Sequence, residues 1–87
     1  MFSVYVLQSL KDGELYVGFT DNLRKRLGKH NAGRVFSTKM RRPLKVIYVE
    51  VCFDEQDARA REKYLKTGTG KRFLKYRLKN YFKSAFV

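Results

Sequence analysis

Only three runs in this chain read as β-strands, and that number decides most of what it can fold into. Phe2–Leu7 is rich in β-branched and aromatic residues, Leu15–Gly18 returns after a turn at Lys11-Asp12-Gly13, and Lys45–Phe53 is the third. A sheet that small must be covered by helices. If Asp12 and Gly13 form a two-residue turn, Ser3, Tyr5 and Leu7 share a face with Tyr16 and Gly18. Strict alternation in the third run puts Val46, Tyr48 and Glu50 on one face and Ile47, Val49 and Val51 on the other.

Helical signals fill the gaps. Thr20 or Asp21 is placed to cap a first helix that ends at Gly33. Leu23 and Leu27 form its apolar pair, with Arg26 and His30 one turn apart on the border. Arg34–Pro43 reads as a basic loop. Asp54 caps a second helix that runs to about Lys66, with Glu55 and Asp57 in the first turn, where the helix dipole favours acids. Gly68-Thr69-Gly70 ends it, and a third helix runs from Lys71 to about Phe82 on a stripe of Phe73, Leu74, Leu78 and Tyr81. The expected fold class is α/β, more closely α+β. It has a small three-stranded antiparallel sheet flanked by helices, in the order β-β-α-β-α-α. At 87 residues this is one domain, expected over residues 1–83 with a tail at 84–87.

Charge narrows the function. Twenty Lys and Arg against eight Asp and Glu leave +12, which points to a polyanion: DNA, RNA or an anionic membrane surface. The basic residues run from Lys11 to Lys83, so this is no basic tail on a neutral domain. Membrane attachment through Lys71–Lys83 is set aside, because that helix's apolar stripe is needed to cover the sheet. One cysteine, Cys52, excludes an intrachain disulfide and a cysteine-built zinc site, and its apolar surroundings make it a core residue. A lone cysteine and the lack of a signal-peptide pattern at Met1–Leu10 lead to an expected cytoplasmic location.

The polar residues without a structural task locate the chemistry. Asp12 and Glu14 belong to the hairpin, Asp21 and Asp54 to caps, Glu55 and Asp57 to a helix start. Glu50 and Glu62 remain. Glu50 on a strand reads as half of an ion pair at the sheet edge. Glu62 lies about 40° round the second helix from Ala58, on its inward face. A carboxylate there must be paired or bound to a metal, and the two readings weigh evenly. His30 is the only histidine. Arg26 one turn away lowers its pKa and favours a neutral, base-competent ring. Site types needing two histidines or several clustered acids are excluded by count. A phosphate loop is excluded because Gly68-Thr-Gly-Lys71 is too short and follows no strand. One carboxylate, one arginine, one histidine and two tyrosines are left.

That set, in that order, resembles the GIY-YIG nuclease family. Ser3-Val4-Tyr5 matches the first motif and Tyr16-Val17-Gly18 the second, with the tyrosines eleven residues apart. Arg26 follows at the position of the family's arginine, His30 matches a histidine of many members, and Glu62 matches the metal-binding glutamate. Asn80 corresponds to an asparagine near the end of many members. Ser3 stands where the family often has glycine. The likeness is closest to short bacterial members and spans essentially the whole chain.

The resemblance implies phosphodiester hydrolysis with Mg2+ or Mn2+ held by Glu62, and catalytic roles for Tyr5, Tyr16, Arg26, His30 and Glu62. One of Tyr5, Tyr16 and His30 takes the proton of the attacking water; the resemblance favours Tyr5 assisted by His30. Lys39, Arg41, Arg42, Lys71, Arg72 and Asn80 are the expected nucleic-acid contacts. The expected substrate is DNA, branched or damaged, in repair or processing, with no membrane and no small-molecule cofactor. The alternative is a non-catalytic DNA- or RNA-binding module.

Overall fold

The computed structural model describes residues 1–85. Strands β1 (Phe2–Ser9), β2 (Leu15–Thr20) and β3 (Leu44–Cys52) form one antiparallel sheet in the order β2-β1-β3. Helix α1 (Leu23–Asn31) lies between β2 and β3 in the chain, and α2 (Glu55–Leu65), α3 (Gly68–Arg77) and α4 (Lys79–Ala85) follow β3. The order β-β-α-β-α-α therefore holds, with the last helical stretch divided at Leu78. Residues 84 and 85 of the expected tail belong to α4, and residues 86–87 lie outside the described residues.

The central strand is apolar on both faces because helices cover both. Val4 and Val6 are fully buried against Ala58 and Leu65 of α2 and Leu74 of α3. Tyr5 and Leu7 point the other way, into a second cluster with Leu23 and Leu27 of α1. A strand buried on both sides loses the polar alternation of a half-exposed one, which is why β1 reads as a near-continuous apolar run.

The hairpin turn is longer than the two-residue form. Ser9 N–H donates to Glu14 O at 2.9 Å and Gly13, at φ +77°, sits in the left-handed region. Leu7 therefore pairs with Tyr16, and Tyr5 with Gly18. This register differs from the two-residue one by two residues. Side chains alternate with period two, so the faces are unchanged.

Three local expectations are corrected. A β-bulge between Val6 and Leu7 breaks the alternation of β3, so Val46 joins the α1 cluster while Ile47 and Tyr48 both pack against the α2 cluster. The cap of α1 is Asn22, whose side chain accepts from Lys25 N–H at 3.1 Å; Thr20 Oγ1 instead accepts from Asn22 N–H at 3.0 Å. Gly68-Thr69-Gly70 is no break but the first turn of α3, capped by Thr67. Gly70 lets α3 start hard against the end of α2, where a Cβ would lie 2.1 Å from Tyr64 O.

The other caps and pairs follow the sequence. Asp54 accepts from Gln56 and Asp57 N–H at 2.8 and 3.3 Å. Glu50 is clamped by Arg61 through three hydrogen bonds of 3.0–3.1 Å, which gives it the ion-pair role read for it.

Candidate active site

Strand β2 is an edge strand, and a cleft of about 370 Å3 wraps it. From the α1 side come Tyr5, Tyr16, Gly18, Arg26 and His30; from the α2 side come Glu62, Lys66 and Lys71; Val35, Ser37 and Thr38 of the loop after α1 complete it. All five residues expected to be catalytic thus line one cavity, although Glu62 stands on the opposite face of the sheet from Tyr5.

A chain of hydrogen bonds runs through the α1 side. Arg26 Nε donates to the Tyr5 hydroxyl at 3.3 Å. Tyr5 Oη lies 2.9 Å from His30 Nε2, and His30 Nδ1 lies 2.8 Å from Thr38 Oγ1. Arginine can only donate. The Tyr5 oxygen accepts that bond, which leaves its own proton free for Nε2; in that tautomer Nδ1 carries the ring hydrogen and donates it to Thr38. Tyr5, His30 and Thr38 are 1 %, 5 % and 1 % exposed, so no bulk water competes for these bonds.

Burial holds the His30 pKa below its ordinary value of 6.5, and the Arg26 charge pushes it the same way. The ring stays neutral at pH 7 and able to accept a proton. The acid limb of any His30-dependent activity therefore lies below pH 6.5. Stability also falls as pH drops below 6.5 towards the folded-state value, because the unfolded chain protonates first.

Gly18 is present for space. A Cβ there would stand 2.3 Å from both Cζ and Oη of Tyr5. The ring lies across β2 only because its strand partner has no side chain.

Glu62 has a partner, Lys66 Nζ at 3.2 Å one turn along α2, and the two side chains are 21 % and 56 % exposed. The pairing is loose enough to exchange, since an exposed lysine pair is worth at most about 1 kcal/mol. Arg26 has no carboxylate within ion-pair distance among the described residues. Its terminal nitrogens are left for an anion. Tyr16 is half-buried on the cleft wall. A second depression of about 380 Å3 shares Phe19 and Arg26 with the cleft and adds Lys25, Lys29 and Arg59 beside Asp21 and Glu55, so the lining past the site stays net positive.

The expected nucleic-acid contacts divide. Lys71 lines the cleft. Lys39, Arg41, Arg42, Arg72 and Asn80 do not. Arg41 is bound to Asp12 at 2.6 Å, Arg42 Nε donates to Lys39 O at 3.0 Å, and Arg72 reaches Thr69 Oγ1 at 3.2 Å. Asn80 is exposed on α4. Sequence reasoning passed over Thr38 and Lys66. Lys66 was findable as the i+4 partner of Glu62. Thr38 carried no signal beyond lying in a loop after the only histidine.

Thr38 holds the His30 ring through this bond, and its removal is measurable. Thr38→Val leaves Nδ1 without a hydrogen-bond partner in a buried place, and any His30-dependent activity should fall roughly ten-fold. Thr38→Ser keeps the hydroxyl and should restore most of the rate. Equal losses in both variants would mean that the loop, not the hydroxyl, matters.

A family model described as the GIY-YIG catalytic domain matches residues 1–77. A UPF0213 protein of Staphylococcus saprophyticus is 37 % identical over 73 residues, covering 83 % of this chain and 88 % of its own length. A UPF0213 protein of Staphylococcus haemolyticus is 38 % identical with the same coverage, and one of Clostridium perfringens is 42 % identical over 72 % of this chain and 68 % of its own. No solved structure gives a significant match. No helix among the described residues is long and apolar enough to cross a membrane.

Proposed function

The chain belongs to the GIY-YIG family, a family of nucleases, and we propose that it is a metal-dependent endonuclease that cuts DNA during repair or processing. The observation that carries this reading is the hydrogen-bonded chain of Arg26, Tyr5, His30 and Thr38 in a cleft that also holds Glu62. Such a chain moves a proton inward from the cleft, and the unpaired ends of Arg26 attract a phosphate.

The chemistry follows from these groups. A free tyrosine has a pKa near 10, about three units from neutrality, so it serves as a base only if its own proton has somewhere to go. Here it goes to His30. Water attacks phosphorus, the water proton passes to the Tyr5 oxygen, and the Tyr5 proton passes to Nε2, leaving an imidazolium held by Thr38. The bond from phosphorus to the leaving sugar oxygen breaks, and that oxygen takes a proton from solvent. The terminal nitrogens of Arg26 donate to the non-bridging oxygens, where charge builds up. Tyr16, facing the cleft, orients the water or the phosphate.

Glu62 suits a hard divalent cation, Mg2+ or Mn2+. No group of three or more His, Cys, Asp or Glu side chains gathers among the described residues. A single carboxylate leaves most positions to water and phosphate, as Mg2+ prefers. Lys66, the present partner of Glu62, is exposed and can swing to the phosphate. When bound, the cation neutralises phosphate charge and eases departure of the leaving oxygen.

The test is a cleavage panel on plasmid, branched and damaged DNA with Mg2+ or Mn2+, comparing the native chain with Glu62→Ala and Arg26→Ala. Cleavage by the native chain and its loss in both variants are expected, as is loss on chelation. Cleavage that survives both substitutions overturns the site. Binding that is metal-independent, weakens steeply with salt and leads to no turnover identifies a DNA- or RNA-binding module instead.

A further inference from the structure

Phe36 is 96 % exposed, more than any other large apolar residue described. That is a poor use of an aromatic ring in an 87-residue chain with a small core. Its position is specific. Val35, Ser37 and Thr38 line the cleft, so the ring stands among residues of the cleft wall and points to solvent.

The segment that carries it is held firmly. Thr38 and Lys39 N–H donate to Val35 O at 3.2 and 2.9 Å, closing a turn around Phe36. The Thr38 hydroxyl is tied to His30 at 2.8 Å. Further along, Ser9 Oγ donates to Arg41 O at 2.7 Å, Lys11 Nζ to Met40 O at 3.3 Å, and Arg41 pairs with Asp12 at 2.6 Å. The backbone that carries the ring is therefore set in advance, and a ligand has mainly the side chain itself to order. Arg34, Lys39, Arg41 and Arg42 surround it in sequence and are all exposed.

An exposed aromatic face on an anchored backbone, with cations close to it in sequence, suits one ligand chemistry: a nucleobase stacked on the ring while the cations hold its backbone. In a matched duplex both faces of each base are already covered by neighbours. Only an unpaired or displaced base offers a free face. Resting on the nuclease reading above, we propose that Phe36 is a stacking platform for an unpaired base beside the cut phosphate. The substrate class of the cleft is then single-stranded DNA, or the unpaired arm of a fork, in preference to matched duplex.

The test separates stacking from hydrolysis. In EDTA, the full chain is titrated with a single strand, a fork and a matched duplex, the first two carrying 2-aminopurine in the unpaired region. Quenching of 2-aminopurine is expected on the single strand and the fork. Phe36→Ala should weaken binding to these by about ten-fold and to the duplex by less than about two-fold; Phe36→Trp should restore it, with tryptophan emission quenched by the strand. Equal weakening on all three DNAs, or none, overturns the proposal. Cleavage with Mg2+ is scored separately. A chain that stacks as expected but cuts nothing overturns the endonuclease reading and leaves the platform standing. A chain that cuts with its preference unchanged by Phe36→Ala does the reverse.

Discussion

Tyr5→Phe lowers kcat by about 10²- to 10⁴-fold, the range lost when a positioned general base is removed. The substitution keeps the ring in the α1 cluster and removes only the oxygen that Arg26 and His30 share. The buried His30 and the half-buried Arg26 then each lose a partner, which costs about 1–3 kcal/mol of stability, well short of unfolding a typical domain. Circular dichroism and a thermal melt separate this from a folding defect. Tyr16→Phe should cost far less, since Tyr16 faces the cleft outside the proton chain. If the two results are exchanged, Tyr16 is the base and the Tyr5 chain only orders the site. In the native chain the acid limb of kcat/KM should fall below pH 6.5, because burial and Arg26 keep His30 neutral. A limb at or above 6.5 would remove His30 from the proton path.

Gly70→Ala should destabilise the fold by about 3 kcal/mol, at the upper end of what overpacking costs, and lower Tm accordingly. Alanine is the better helix former by about 1 kcal/mol, yet a Cβ at this place would meet Tyr64 O at 2.1 Å and Leu65 Cα at 2.5 Å. Both are backbone atoms and cannot rotate away. Helix α3 would have to lift from α2 next to Leu65 and Leu74, both fully buried. Gly28→Ala is the control with the opposite sign. It too lies inside a helix, nothing stands within 4 Å of its Cβ position, and the substitution should stabilise by up to about 1 kcal/mol. Urea titrations of the two variants decide the matter. Matching shifts would mean that helix propensity, not contact, controls both positions.

These two glycines show where reading the chain stops. Both look like ordinary interruptions of a helical pattern. Which one carries a contact depends on the approach of a second helix, and no pattern within one segment records that.

The elements themselves were legible, because each is specified by neighbours in sequence: three β-rich runs, the Asp54 cap, the stripe of Leu23 and Leu27, and the apolar central strand. So was the pairing of the tyrosine faces, because a two-residue change of register keeps side chains on their sides. The bulge in β3 and the Asn22 cap were not, since each is one choice among several local hydrogen-bonding solutions.

The site divides in the same way. Tyr5, Tyr16, Arg26, His30 and Glu62 were named through the family resemblance that their type and order carry, and they line one cleft. That Glu62 lines the same cleft as the tyrosines around the β2 edge, that Gly18 makes room for the Tyr5 ring, and that Thr38 holds the His30 ring were decided only in three dimensions. The reason is physical. Residue type and periodicity determine which face of an element is apolar and which side chains can do chemistry. The distance between two such side chains on different elements is set by packing, and packing is a property of the assembled sheet and helices.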